Sequence, residues 1–230
     1  MIWEEKPDRE RYQIPDLMVD LSFRVKGEEL PVDHLYALSA QIIERLPWLT
    51  DAPGSGVHPI HLAEVAAGWQ RPEYHTNSRF YLSRRTRLRL RLPRVRIDAA
   101  EQLTGKTLEV DGCELTIGAS TVKVIEPSTT LIAHHMAGKE DENENTFVDR
   151  LVEEMGEMGI KATKLLCGKT HRVQLMESPV NTRSLLLADL SPIDSITLLY
   201  KGLGPMRHFG FGLFIPHKGI SAVRERQGQG

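Results

Sequence analysis

Cysteine is scarce: the chain of 230 residues has two, Cys113 and Cys167, and neither sits in a C-x-x-C pair. That excludes a disulfide framework and a cysteine-based zinc site, and it fits a reducing compartment. Long apolar runs are also missing. Nothing approaches the length of a membrane span, and Met1-Ile2-Trp3-Glu4-Glu5-Lys6 offers no signal-peptide core. The expectation is a cytoplasmic protein with no membrane partner. There is no G-x-x-x-x-G-K-[ST] loop, and Gly202-Leu203-Gly204 lacks the third glycine of a dinucleotide fingerprint, so no nucleotide cofactor is expected. None of the nine histidines has Ser or Thr two residues on, which speaks against the paired H-x-[ST] motifs of a 2′,3′-cyclic phosphodiesterase.

Net charge is nearly absent as well, at −2, but this hides segregation. Acids crowd into Glu140–Glu157, read as a solvated helix face and loop. Arg84, Arg85, Arg87, Arg89, Arg91, Arg94 and Arg96 put seven arginines into thirteen residues without one acid. Arg87, Arg89 and Arg91 alternate with Leu88, Leu90 and Leu92. A strand with its leucines toward a core would lift these arginines onto one face, roughly 6.6 Å apart. Such a strand is either a solvated, aggregation-resistant edge or a nucleic-acid contact. The number of arginines, and the fit of guanidinium to phosphate, favours the second. Structured RNA suits it best, because an A-form stem is recognised by backbone and shape.

Hydrophobic residues at 40% and charged residues at 26% are ordinary for a globular chain long enough for one large or two small domains. Residues 1–16 read as a polar arm and 221–230 as a flexible tail. Leu17–Lys26 alternates as a half-buried strand, and Val32–Arg45 repeats at helical spacing, with Asp33 placed to cap it. His58–Leu62 reads as a short strand and Phe80–Pro93 as a long one. Asp98–Glu101 has capping-box spacing. Asp111-Gly112 predicts a two-residue hairpin turn, with Thr121–Ile125 continuing the sheet. That order, strand, helix, strand, strand, helix, strand, is ferredoxin-like. It recurs after Pro127: a strand at Thr129–Met136, a helix carrying Phe147, Leu151 and Met155, a strand pair at Ala162–Cys167 and His171–Met176, a strand at Leu185–Leu190, a helix opened by Ser191, and a last strand at Leu213–Ile215. The expectation is an α+β chain of two tandem ferredoxin-like domains with antiparallel sheets, 17–127 and 128–220.

Near the end, Lys201, Gly202, Gly204, Arg207, His208, Gly210, Gly212 and Lys218 concentrate glycine and positive charge between an apolar run and a short strand. The glycines either make a turn and a tight strand crossing or let backbone approach phosphates. The pattern G-φ-G-x-x-x-x-x-G-φ-G-φ-φ close to the C-terminus resembles the signature loop of the RAMP superfamily, in particular of the CRISPR-associated endoribonucleases called Cas six. Met18–Val25 and Leu30–Ser39 resemble the myxan-type branch. The resemblance spans about residues 17 to 220. It implies an enzyme that binds CRISPR repeat RNA, cleaves the precursor, and stays with its product beside the backbone and large subunits of a type I effector complex. An alternative is a non-catalytic RNA-binding scaffold with the same fold.

Metal-free RNA cleavage needs a base for the 2′-hydroxyl, an acid for the departing 5′-oxygen, and cations around the phosphorane. The resemblance implies a catalytic histidine at the start of the first helix, which here is His34. There the helix dipole would disfavour imidazolium. Tyr36 and Ser39 are the neighbours that could position the phosphate or the hydroxyl. His34 and Tyr36 converge only if the helix begins after His34. Otherwise His34 simply flanks the helix and bonds locally. His208 is the leading alternative, with Lys26, Lys164 and Lys169 as further candidates for the second role. His134, His135 and His171 read as packing or surface residues. His58 and His61 form an H-x-x-H pair without a third ligand at a telling distance, so no metal is expected.

Overall fold

The computed structural model describes residues 17–60, 78–161, 164–175 and 178–217. In chain order the elements are β1 (Met18–Lys26), β2 (Glu29–Pro31), α1 (Leu35–Arg45), β3 (Gly56–Val57), β4 (Arg79–Tyr81), β5 (Arg87–Pro93), α2 (Ile97–Glu101), β6 (Thr107–Val110) and β7 (Cys113–Val124), then β8 (Leu131–Ala137), α3 (Glu144–Glu157), β9 (Lys164–Cys167), β10 (His171–Leu175), β11 (Ser178–Ala188), α4 (Pro192–Lys201) and β12 (Phe214–Pro216). The first half forms an antiparallel sheet in the order β3-β5-β1-β7-β6, and the second half one in the order β10-β11-β8-β12. Both are mixed α+β layers.

Local chemistry explains most boundaries. Leu35, Leu38 and Ile42 recur at helical spacing and bury one stripe of α1. Leu38 and Ile42 pack on Val19, Leu21 and Phe23 of β1 and on the leucines of β5. The Asp111-Gly112 turn between β6 and β7 has both residues at positive φ, as the tightest hairpins require. The Ser191 side chain accepts from the Asp194 N–H and opens α4, while Gly202 at φ 67° closes it. Asn143 does the same for α3, whose Phe147, Leu151 and Met155 enter the second core. A third, small cluster of Leu35, Val173, Leu175 and Phe211 ties the start of α1 to β10 and to the loop after α4.

Several expectations need correcting. Asp33 does not cap α1; its Oδ2 accepts from the Gln174 N–H of β10, and His34 occupies the cap position. The helix begins at Ile97, which places Asp98 inside its first turn, so no capping box forms; Glu101 instead accepts from the Ser120 hydroxyl. β9 and β10 do not pair with each other. Each pairs with its own stretch of β11, which is longer than its apolar segment suggests and starts at Ser178. β1 is buried on both faces: Val19, Leu21 and Phe23 meet the first core, while Asp20 and Ser22 are covered from the other side. The proposed arm at 1–16, His61, Lys218 and the tail lie outside the described residues.

Candidate active site

Arg91 shows what covers that second face. Asp20 on β1 and Arg91 on β5 are cross-strand partners. The Arg91 Nε and Nη2 donate to the two carboxylate oxygens at 2.9 and 3.1 Å, and Nη1 donates to the carbonyls of Leu199 and Phe214 at 2.9 and 2.8 Å. With 1% of its surface exposed, Arg91 cannot grip a ligand. It clips β5 to the end of α4 and to β12. Two glycines show how close this approach is. A Cβ on Gly54 would lie 2.0 Å from the Tyr200 carbonyl oxygen, and one on Gly56 would lie 2.4 Å from that of Arg207.

His58 completes the network. Its Nε2–H donates to Asp20 Oδ1 at 3.3 Å, and its backbone N–H to the Arg89 carbonyl. Burial pushes the His58 pKa down, with Arg91 and Arg89 adding to the effect and Asp20 opposing it; Asp20 itself is held far below the usual carboxylate range, Arg91 and His58 outweighing the cost of its burial. The sign follows from linkage. The unfolded chain, whose histidine titrates near ~6.5, binds this proton more readily than the folded one, so stability falls as pH drops through that value. Asp20 stays ionised over the same range and contributes no slope there. The urea midpoint is expected to decline from pH 7.5 to 5.5, and His58→Gln to flatten the decline. Equal slopes in the two proteins would refute the assignment.

The start of α1 holds the predicted catalytic residues. The helix begins at Leu35, after His34, which is the condition for His34 and Tyr36 to converge. His34 is 4% exposed. Its Nε2 accepts from the Ile60 N–H at 3.1 Å, and an N–H can only donate, so Nδ1 carries the proton and donates to the Pro31 carbonyl at 2.9 Å. One tautomer is thereby fixed. Tyr36 lies half-buried with its ring 5.6 Å from that of Phe209, and Phe209 in turn packs 4.3 Å from the ring of His208. His208 is half-buried in the Gly-rich loop, where burial first and Arg207 second lower its pKa. Ser39 departs from expectation: it is fully buried on the core side of α1 and cannot meet a ligand. Lys164 is engaged in an ion pair with Asp189.

The Gly-rich loop is built for close crossing of backbone. A Cβ on Gly212 would fall 1.8 Å from the Leu203 carbonyl oxygen, and one on Gly202 2.7 Å from that of Gly212. Gly210 approaches Val57 and Pro59 of the first half. Met206, at φ 64°, is a non-glycine residue in the left-handed region. The Arg207 Nη1 donates to the Gly204 carbonyl at 2.7 Å and braces the loop from within. Lys201 is exposed at the end of α4.

The remaining arginines divide. Arg84, Arg85, Arg94 and Arg96 are exposed, and Arg96 lies over the Trp48 ring. Arg87 and Arg89 are half-buried. Sequence reasoning missed Asp20 and the part His58 plays beside it. Asp20 reads as a solvent-facing residue of an alternating strand, and only its register against an arginine strand could have exposed it. Among the described residues no group of three or more His, Cys, Asp or Glu side chains is placed to hold a metal.

Residues 19–219 match the family model described as Cas6 Crispr. Over 200 residues the chain is 31% identical to the CRISPR-associated endonuclease Cas6 of Myxococcus xanthus (strain DK1622), covering 87% of this chain and 82% of that one. Two solved structures share the fold. A RAMP protein described as binding different RNA substrates superposes with a TM-score of 0.62 at 15% identity, over 87% of this chain and 100% of its own. The product of a Cas6-related gene from Pyrococcus furiosus superposes with 0.60 at 14%, over 87% and 99%. The two sheets are therefore the tandem ferredoxin-like halves of the RAMP architecture, and the chain belongs to the Cas6 family.

Proposed function

We propose that this chain is an endoribonuclease that binds CRISPR repeat RNA and cleaves precursor RNA without a metal ion. The 2′-hydroxyl attacks the adjacent phosphorus, leaving a 2′,3′-cyclic phosphate upstream and a 5′-hydroxyl downstream. The observation that carries the reading is the tautomer of His34. With Nδ1–H held by the Pro31 carbonyl, the lone pair stays on Nε2, as a general base requires. In the described state the Ile60 N–H occupies that lone pair, so the 2′-hydroxyl must displace it. Tyr36 and His208, linked through Phe209, flank the same end of α1 and are the partners for the leaving oxygen. Exposed Arg84, Arg85, Arg94, Arg96 and Lys201, with Arg207 and the backbone of the Gly-rich loop, grip the RNA backbone. The family reading extends to retention of the cleaved RNA within a type I effector complex in the cytoplasm, beside backbone and large subunits.

The closed state of His34 also suits a second reading, an RNA-binding scaffold that does not cut. One experiment separates them. Repeat-containing RNA is incubated with the protein in excess EDTA and the product ends are mapped. Cleavage with cyclic-phosphate ends is the expected result. Tight binding without cleavage at any pH would replace the enzyme by the scaffold.

A further inference from the structure

The turn that leads into α1 is fastened residue by residue. Pro31 ends β2 opposite Arg79 of β4, the Val32 N–H donates to the Ser78 carbonyl at 2.8 Å, and the His34 ring is held between the Pro31 carbonyl and the Ile60 N–H. Each of these ties stays within the first half. Asp33 reaches out of it: its Oδ2 accepts from the Gln174 N–H at 2.8 Å, across 141 residues of sequence. Gln174 lies on β10, an edge strand of the second sheet. The same junction carries an apolar contact, Leu35 against Val173, Leu175 and Phe211. Apolar contact holds two surfaces together but lets them slide, because it has no preferred direction. A carboxylate accepting from a strand N–H is directional and stronger than a neutral pair, so it fixes register as well. What it registers is the head of α1, with His34, against the half that carries His208 and Phe209.

We propose that Asp33 is a positioning residue for RNA cleavage: by tying the head of α1 to β10, it sets the distance between the His34 ring and the groups that the Gly-rich loop brings to the same place. The inference rests on the catalytic reading of His34. It asks of Asp33 neither contact with RNA nor transfer of a proton. A displacement of about 1 Å can cost ~10²-fold in rate, so loss of the tie shows in the cleavage step and not in the grip on RNA.

The test measures two quantities side by side: the single-turnover cleavage rate of a repeat-containing RNA, and the Kd of the same RNA made uncleavable by a 2′-deoxy substitution at the scissile nucleotide. Asp33→Ala is expected to slow cleavage about ten- to a hundredfold while Kd stays within about twofold of wild type. Asp33→Asn keeps an oxygen for the Gln174 N–H and should cleave within about threefold of wild type. Gln174→Pro deletes the donor from the other side. That N–H is given to Asp33 and not to the β11 ladder, and an edge strand tolerates proline. It should match Asp33→Ala, and the double variant should be no slower than the worse of the two, as for two ends of one bond. A wild-type rate in Asp33→Ala, a rate in Asp33→Asn as low as in Asp33→Ala, or fully multiplicative losses in the double variant would each overturn the role. Should Gln174→Pro fail to fold, the alanine and asparagine variants decide between them. A wild-type protein that binds the RNA and leaves it intact would overturn the catalytic reading, and the role of Asp33 with it.

Discussion

Arg91→Met is expected to lower the unfolding free energy by about 3–5 kcal/mol, the usual cost of removing one partner of a buried ion pair. Methionine fills a similar volume, so the loss is chiefly electrostatic. Asp20 would be left as an uncompensated buried carboxylate, with only His58 beside it, and the carbonyls of Leu199 and Phe214 would lose their donor. Adding Asp20→Leu to Arg91→Met should recover part of the loss by removing the stranded charge, and the non-additivity measures the coupling. Urea unfolding of the two single variants and the double variant gives all three values. A loss below about 1 kcal/mol in Arg91→Met would show that the clip merely breaks even against an apolar contact, as some buried pairs do.

His34→Gln should reduce the rate of RNA cleavage by about 10²–10⁴-fold, the span typical of a lost proton-transfer group. Its affinity for uncleavable RNA should stay within a few-fold of wild type. Glutamine is chosen because its Oε1 can stand where Nε2 does and accept from the Ile60 N–H, preserving the structural bond while taking no proton. His34→Ala would lose both roles and confound the reading. A rate within threefold of wild type in His34→Gln would make His34 a structural residue. The same fall in His208→Ala alone would move the proton transfer to the Gly-rich loop.

Periodicity made most of the fold legible. The stripe of α1, the Asp-Gly turn and the serine cap of α4 all depend on neighbours within a few residues, and each formed where expected, whereas the strand expected over Phe80–Pro93 is broken into β4, which pairs with β2, and β5, which pairs with β1. What could not be read depends on distant partners. Arg87, Arg89 and Arg91 look equivalent in sequence, but Asp20 lies 71 residues before Arg91 and its two carbonyl acceptors 108 and 123 residues after it. β11 was underestimated because Asn181, Thr182 and Arg183 carry polar side chains on a strand whose pairing, not its composition, defines its length. The site divides in the same way. The place of His34 at the head of a helix follows from local pattern. Its tautomer depends on Pro31 and Ile60, and the inward face of Ser39 depends on which side of α1 meets the sheet.

The reach of Arg91 also bears on how the chain is made. At typical synthesis rates its last acceptor, Phe214, follows on the order of ten seconds behind it. During that interval a nascent first half presents Asp20, Arg91 and His58 to solvent in place of an apolar sheet face. The surface that waits longest for its cover is thus a hydrated, charged one, which resists association with other emerging chains until the closing strand arrives.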